Sequence, residues 1–284
     1  MPERVAAVVS CLNNHRTIEQ CLRTLIRNRP DEVIVVDGGS SDGTQSILSK
    51  FPQITIIDNM KGIANARNIG WRHSHGDLTL FLDGDAYMTM DTLVSLKQIL
   101  KSTDAAGVTC RIAGANLDKL IPRLRDLDFR IQYSESFCRS NIADCVSDPA
   151  ICGLYRREVL EEVGGFNPEF PFAEDMEFLE KLRSRRYRVV SCYSPPILHN
   201  HRETVSSLFW QLYRHGFGRG VIDAKSSSPN LYARRKLKQI RRGLSTLSLA
   251  GSTSLLYPFY RMIADTAYVL GYLKGRKWKQ SRNR

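Results

Sequence analysis

Short apolar runs alternate with helical patterns along the N-terminal third of the chain. Four runs contain few polar residues and no regular alternation, which is typical of buried parallel strands; they cover residues 5–10, 32–37, 54–58 and 78–83. Between and after them, apolar residues recur at intervals of three and four, which predicts amphipathic helices over residues 17–26, 62–74 and 89–101. This order predicts an α/β, Rossmann-like fold with a mainly parallel sheet flanked by helices. Thr17 and Gln20 have the spacing of a capping box at the start of the first helix.

The four predicted strands end in polar residues, three of which are carboxylates: Ser10, Asp37, Asp58 and Asp83. In open parallel sheets, ligands bind outside the carboxyl ends of the strands. The sequence therefore predicts a negatively charged crevice at this edge. Such a crevice suits a ligand whose base and ribose hydroxyls form hydrogen bonds and whose phosphates are held through a metal ion.

The fourth apolar run leads directly into Asp83-Gly84-Asp85. Side chains alternate along a strand, so we expect Asp83 and Asp85 to project to the same side and Gly84 to let a ligand approach the backbone. Two adjacent carboxylates suit a hard divalent cation, Mn²⁺ or Mg²⁺, that shares its remaining positions with substrate phosphates. The alternative interpretation is a polar turn after a strand, because Asp and Gly are common in turns.

Several other classes of protein fit the sequence poorly. A dinucleotide-binding fold needs a glycine-rich turn after the first strand, where this chain has Ser10 to His15. A calcium loop beginning at Asp37 would need a glutamate where Leu48 stands. The seven cysteines are scattered, which argues against a disulfide framework or zinc site and favours reduced thiols in the cytoplasm. The N-terminal residues lead straight into a strand pattern, without the features of a signal peptide.

The net charge of +12 is concentrated near the C-terminus. From Arg214 onward there are 16 basic and two acidic residues, whereas the preceding residues contain 25 basic and 27 acidic ones. A basic segment of this kind favours an anionic partner, either a membrane surface or a nucleic acid. Apolar and aromatic side chains recur from Tyr257 to Tyr272 and are followed by a basic end from Lys274 to Arg284, which favours a helical segment lying on an anionic membrane. A helix packed on the rest of the protein, or a dimer contact, is the alternative.

Several motifs occur together in the order found in family 2 glycosyltransferases, which the chain resembles over roughly residues 4–220. These motifs are Val8-Val9-Ser10, Val35 to Thr44, Ala66-Arg67-Asn68, Asp83-Gly84-Asp85, Gly164-Gly165-Phe166-Asn167 and Glu174-Asp175. The resemblance implies a GT-A fold and the transfer of a sugar, of hexosyl type, from a UDP- or GDP-linked donor. It also implies dependence on Mn²⁺ or Mg²⁺ and inversion at the anomeric carbon.

The resemblance also implies a role for each candidate residue. The donor would be bound by Ser10, Asp37, Arg67, Asp83, Gly84 and Asp85, with Ser10 and Asp37 at the base and Arg67 helping to fix the nucleotide. Metal ligands would be Asp83, Asp85 and His199, with His201 as the alternative histidine, and Asp175 would be the general base. More ordinary roles are a loop cap for Asp37, a solvated helix position for Arg67 and an acidic helix start for Asp175.

We therefore expect a catalytic domain over residues 1–215 and a basic, partly apolar helical tail over residues 216–284. Gln211 and Arg214 match part of a motif of processive polysaccharide synthases, but His215 stands where those enzymes have tryptophan, so we expect a single sugar per encounter. The predicted acceptor is lipid-linked or a glycan, in polysaccharide or glycolipid biosynthesis. The predicted location is the cytoplasmic face of the cell membrane, with a homodimer through the tail as an option. A sugar-phosphate nucleotidyltransferase and a nucleic-acid-binding protein are the rival hypotheses; no nucleic acid partner is expected.

Overall fold

The computed structural model describes residues 3–59, 62–133, 141–145, 152–170, 172–224 and 255–282. The strands are β1 (Val5–Cys11), β2 (Glu32–Asp37), β3 (Thr55–Asp58), β4 (Leu78–Asp83), β5 (Ala86–Met88), β6 (Gly107–Gly114), β7 (Ile142–Asp144), β8 (Gly153–Arg156) and β9 (Val189–His199). The helices are α1 (Ile18–Arg27), α2 (Thr44–Leu48), α3 (Ile63–His73), α4 (Thr92–Thr103), α5 (Leu120–Tyr133), α6 (Arg157–Val163), α7 (Glu174–Ser184), α8 (Val205–Asp223) and α9 (Tyr257–Arg282).

The strands form one sheet in the order β3-β2-β1-β4-β8-β6-β9-β5, with β7 paired to β9. The first four strands in this order are parallel, whereas β8 runs antiparallel to β4 and β6. The α/β fold predicted from the sequence is therefore confirmed. In the register of the sheet, Ser10 lies beside Asp83 and Asp37 beside Asp58, so the predicted row of polar strand ends is present.

The chain divides into two compact units. The first comprises residues 1–113, 139–169 and 174–199, and the second comprises residues 114–138, 170–173 and 200–284. The boundary predicted at residue 215 stays a prediction. Among the described residues, no helix combines the length and hydrophobicity needed to cross a bilayer.

An aromatic core in the first unit fixes β4 relative to α7. Phe81 on β4 meets the edge of Phe166, with ring centroids 5.1 Å apart, and Phe166 stacks on Phe178 of α7 at 4.5 Å. All three side chains are buried. Close aromatic packing restrains the elements it joins, so the end of β4 and the start of α7 are held in a defined arrangement.

The start of α1 differs from the prediction. Thr17 precedes the helix but its side chain does not cap it. Instead, the Thr17 hydroxyl donates to the carbonyl oxygen of Gly84 at 2.9 Å. The predicted capping box is therefore wrong, because a distant carbonyl in the turn after β4 uses the hydroxyl that would have capped the helix.

In the second unit, α8 and α9 pack closely along glycine positions. A Cβ atom at Gly216 would lie 2.0 Å from the carbonyl oxygen of Tyr268, and one at Gly271 would lie 2.0 Å from that of Tyr213. Both distances are far below van der Waals contact, so the two backbones meet where side chains are absent. The opposite face of α9 is exposed, including Phe259.

Candidate active site

Three side chains capable of binding a metal converge at the carboxyl edge of the sheet. Asp83 ends β4, Asp85 lies in the turn that follows, and His199 ends β9 beside Ala86 of β5. One potential ligand atom from each of the three lies within 4.8 Å of the other two. The Asp85 carboxylate and the His199 Nε2 atom are 3.2 Å apart.

This set of ligands fits a divalent cation. Two carboxylates supply the oxygen ligands that Mn²⁺ and Mg²⁺ prefer, and imidazole nitrogen is accepted more readily by Mn²⁺. Among the described residues, His199 rather than His201 belongs to the cluster. His201 lies in the second unit, where its ring packs at a tilt against that of Phe129, with centroids 5.6 Å apart.

Asp83 and Asp85 converge as expected, and the strand before them has the predicted bounds, Leu78–Asp83. Asp83 is the last strand residue, whereas Gly84 and Asp85 form a turn. A Cβ atom at Gly84 would lie 2.9 Å from the Cβ of Cys11 and 3.0 Å from the side-chain oxygen of Asn14. The missing side chain therefore lets the turn pack against the end of β1, and the approach of a ligand to the Gly84 backbone stays a prediction.

Arg67 connects the metal-binding carboxylates to the start of α7. Its side chain is only 1% exposed and donates to Asp83 at 2.9 Å and to Glu174 through a second, short hydrogen bond. The guanidinium also lies over the ring of Phe166, 5.3 Å from its centroid. Arg67 is thus enclosed behind the carboxylates, so its effect on a bound nucleotide would act through Asp83 and Glu174.

Asp175 lies in the first turn of α7, next to Glu174. Burial, followed by the negative charge of Glu174, raises the pKa of Asp175 to about 7, against the opposing effect of Arg67. A carboxylate with a pKa near the working pH is suited to accept a proton in catalysis. Glu174 was not among the predicted site residues, although its position beside Asp175 in the sequence pointed to it.

Asp37 is fully buried, and its carboxylate forms hydrogen bonds within the protein. It accepts hydrogen bonds from the Ser40 amide and from the Gln45 side chain, both at 3.0 Å. Burial acts to raise the pKa of Asp37, but the donated hydrogen bonds outweigh it and the pKa is lowered. Asp37 therefore shapes the loop after β2, as the capping alternative expected. Ser10 is also buried, and within the described residues its hydroxyl makes no hydrogen bond.

Comparison with known proteins identifies the family. The model of glycosyl transferase family 2 matches residues 6–164, more than half of the chain. The chain belongs to this family. The matched range contains β1 to β4, Arg67 and the two aspartates of the candidate metal site.

Curated relatives are biosynthetic glycosyltransferases and polysaccharide enzymes. The chain is 27% identical over 199 residues to the glycosyltransferase AglE of Haloferax volcanii, covering 64% of this chain and 62% of the relative. It is 25% identical over 227 residues to the succinoglycan biosynthesis protein ExoA of Rhizobium meliloti, covering 75% and 68%. It spans about half the length of the Staphylococcus aureus poly-β-1,6-N-acetyl-D-glucosamine synthases that it matches.

Solved structures confirm the GT-A glycosyltransferase fold. The mannosyltransferase PcManGT of Pyrobaculum calidifontis, solved with GDP-Man and Mn²⁺, aligns with a TM-score of 0.64 at 20% identity, covering 100% of this chain and 88% of that one. TarS of S. aureus, solved with UDP-GlcNAc, aligns with a TM-score of 0.57 at 16% identity, covering 99% and 91%. The recognition of the family from sequence motifs is confirmed as well.

Proposed function

We propose that this glycosyltransferase moves a single hexose from a UDP- or GDP-linked donor to a hydroxyl of a lipid-linked or glycan acceptor, with inversion at the anomeric carbon. The main support for the proposal is that the candidate metal ligands are connected through hydrogen bonds to the start of α7. The cluster of Asp83, Asp85 and His199 is joined through Arg67 to the helix turn that carries Asp175. Buried Arg67 thus connects the proposed site for the donor diphosphate to the helix turn with the group that would activate the acceptor.

In this proposal Asp175 takes the proton from the acceptor hydroxyl as its oxygen attacks the anomeric carbon. The bond from that carbon to the phosphate oxygen breaks on the opposite face, which inverts the configuration. Asp83, Asp85 and His199 would hold a divalent cation, which would supply the positive charge that stabilises a diphosphate leaving group. Arg67 keeps Asp83 and Glu174 in place, and Ser10 and the loop ordered by Asp37 border the position proposed for the base.

The choice of donors rests on the solved neighbours, one of which holds GDP-Man with Mn²⁺ and another UDP-GlcNAc. The imidazole of His199 favours Mn²⁺ over Mg²⁺ as the metal. A role in polysaccharide or glycolipid biosynthesis is supported by the succinoglycan and poly-N-acetylglucosamine relatives.

The test is release of nucleoside diphosphate from a panel of UDP- and GDP-hexoses, with Mn²⁺ and a lipid extract as the acceptor source. Wild-type protein should release diphosphate from one donor, and Asp175→Asn should lose at least 100-fold in rate. Glu180→Gln is the matched control, because Glu180 is an exposed carboxylate on the same helix, where it pairs with Arg183. Equal loss in both variants, or no loss in Asp175→Asn, would contradict the assignment of the base.

We also propose that α9 places the enzyme on an anionic membrane surface, at the inner face of the cell membrane. One face of α9 is packed in the second unit, whereas the other carries an exposed apolar stripe of Phe259, Met262, Val269, Leu270 and Leu273. These side chains are 40% to 63% exposed and recur at helical spacing.

Basic residues continue this stripe toward the end of α9. Lys274 and Lys277 are exposed, and no acidic residue follows Asp265 in the sequence. An apolar stripe flanked by lysines matches the boundary between acyl chains and anionic headgroups. A second copy of the chain is the competing occupant of the stripe.

Vesicle flotation tests this second proposal. The wild type should float with phosphatidylglycerol-containing vesicles, and a Phe259→Ser, Leu270→Ser double variant should remain in the soluble fraction. Met90→Ser with Val94→Ser is the matched control, because both residues are exposed apolar side chains on or near α4. If the double variant floated like the control, or if it changed only the size of the protein in gel filtration, the membrane proposal would fail and the latter result would favour a dimer.

A further inference from the structure

Arg111 reaches the same edge of the sheet as the candidate active site, on a strand that the sequence motifs do not cover. In the register of the sheet, Phe81 of β4 lies beside Gly153 of β8, which lies beside Thr109 of β6. Asp83 and Arg111 each follow two residues later on parallel strands, so they occupy the same level and the same face. Two strand spacings separate their backbones by roughly 10 Å.

Contacts with β9 confirm that this face opens toward the edge. The Thr109 hydroxyl contacts the Ser191 hydroxyl at 2.9 Å, and both residues are buried. Two residues further along each strand, the guanidinium of Arg111 lies 4.3 Å from the ring centroid of Tyr193. Tyr193 is 36% exposed and Arg111 is half-buried. Along β6 and β9, the side chains on this face are therefore buried at Thr109 and Ser191 and become accessible to solvent at Arg111 and Tyr193.

The charge of Arg111 distinguishes it from Arg67. The guanidinium of Arg67 is enclosed and neutralised by Asp83 and Glu174. Arg111 makes no ion pair with a carboxylate in the part of the chain that the structure describes, and its Nε atom is buried without a hydrogen-bond partner there. A half-buried guanidinium held over an aromatic ring is suited to bind an oxyanion through its terminal nitrogens.

We propose that Arg111, supported by Tyr193, binds an oxyanion of the acceptor: the phosphate of a lipid-linked acceptor or the carboxylate of an acidic glycan. This inference rests on the proposed function and adds the chemical class of the acceptor. The donor diphosphate is assigned to the carboxylate cluster at Asp83 and Asp85, so a separate cation two strands away serves a second anion.

Calorimetric titration measures binding of the acceptor anion and of the nucleotide independently. The probes are octyl phosphate and methyl glucuronide for the acceptor anion, and UDP and GDP with Mn²⁺ for the donor site. Arg111→Gln should weaken binding of at least one acceptor probe by tenfold or more and leave nucleotide affinity within twofold. Arg111→Lys should retain part of the affinity, because it keeps the charge but loses the bidentate geometry. Arg72→Gln is the matched control, since Arg72 also lies over an aromatic ring, that of Trp71 at 4.8 Å.

The outcome for the two acceptor probes distinguishes a lipid phosphate from a uronic acid. Equal affinity of wild type and Arg111→Gln for both probes, or no binding of either probe to the wild type, would overturn the inference. So would a loss of nucleotide affinity alone, because that result would place Arg111 at the donor diphosphate. Absence of nucleotide binding in the wild type itself would instead count against the proposed function. Thermal unfolding of each variant shows whether it is folded at the titration temperature.

Discussion

Replacing Arg67 with methionine should destabilise the protein strongly. Methionine fills much of the space of the arginine stem but leaves Asp83 and Glu174, whose side chains are 17% and 12% exposed, without their cation. Breaking a buried ion pair by removing one partner costs about 3–5 kcal/mol, because the remaining charge stays buried. That is a large part of the 5–15 kcal/mol by which proteins are typically stable.

Urea unfolding followed by circular dichroism measures this loss. The control is Arg23→Met, because Arg23 pairs with Glu19 on the surface of α1, with side-chain exposures of 62% and 43%. An exposed pair of this kind contributes about 0.5 kcal/mol. The difference between Arg67→Met and the wild type should shrink as the pH falls, since protonation relieves the stranded carboxylates. Equal, small losses in the two variants would refute the account of Arg67 as the buried link.

Three further predictions concern catalysis, metal binding and helix packing. The transfer rate should rise with pH through about 7, where Asp175 with its raised pKa loses its proton and becomes a base, and Asp175→Asn should remove this rise. Mn²⁺ at one hundred times its dissociation constant should stabilise the wild type by about 2.7 kcal/mol in thermal unfolding, and Asp85→Asn should lose the effect. Gly271→Ala should cost about 1–3 kcal/mol, because its Cβ would meet a backbone carbonyl of α8, whereas exposed Thr266→Ala should cost little.

The N-terminal half of the sheet could be predicted from local patterns. The apolar runs mark β1, β2, β3 and β4 to within a residue or two, because buried parallel strands are short and continuously apolar. The carboxylates at the strand ends followed from the topology, since parallel strands end at one edge. The sequence also located Asp175 correctly at the start of a helix.

The rest of the site depends on contacts that are distant in sequence. His199 approaches Asp85 because β9 pairs with β5, and Glu174 meets Arg67 from a helix 107 residues further along the chain. Neither pairing leaves a periodic signal in the sequence. Residues 111–150 had no recognised motif, yet β6 begins just before them and carries Arg111 to the edge of the sheet. An arginine inside a strand breaks the apolar pattern that would have identified the strand.

The resemblance assigned individual residues to the nucleotide, but it did not indicate how deeply those residues are buried. Asp37 and Arg67 were expected to contact the nucleotide, but both are enclosed and hold other parts of the site in place. Such enclosure depends on the final packing of the loop after β2 and of α3, which a motif does not encode. The assignment of Asp37 to the base and of Arg67 to the nucleotide stays a prediction.

Calorimetric titration of UDP- and GDP-hexoses, with and without Mn²⁺, tests the central claim most directly. The wild type should bind one nucleotide-sugar tightly only when Mn²⁺ is present, and Asp85→Asn should lose that metal-dependent binding while remaining folded. Binding that is the same without the metal, or unchanged in Asp85→Asn, would contradict the carboxylate cluster as the donor site. No binding of any donor under either condition would contradict the proposed transferase function.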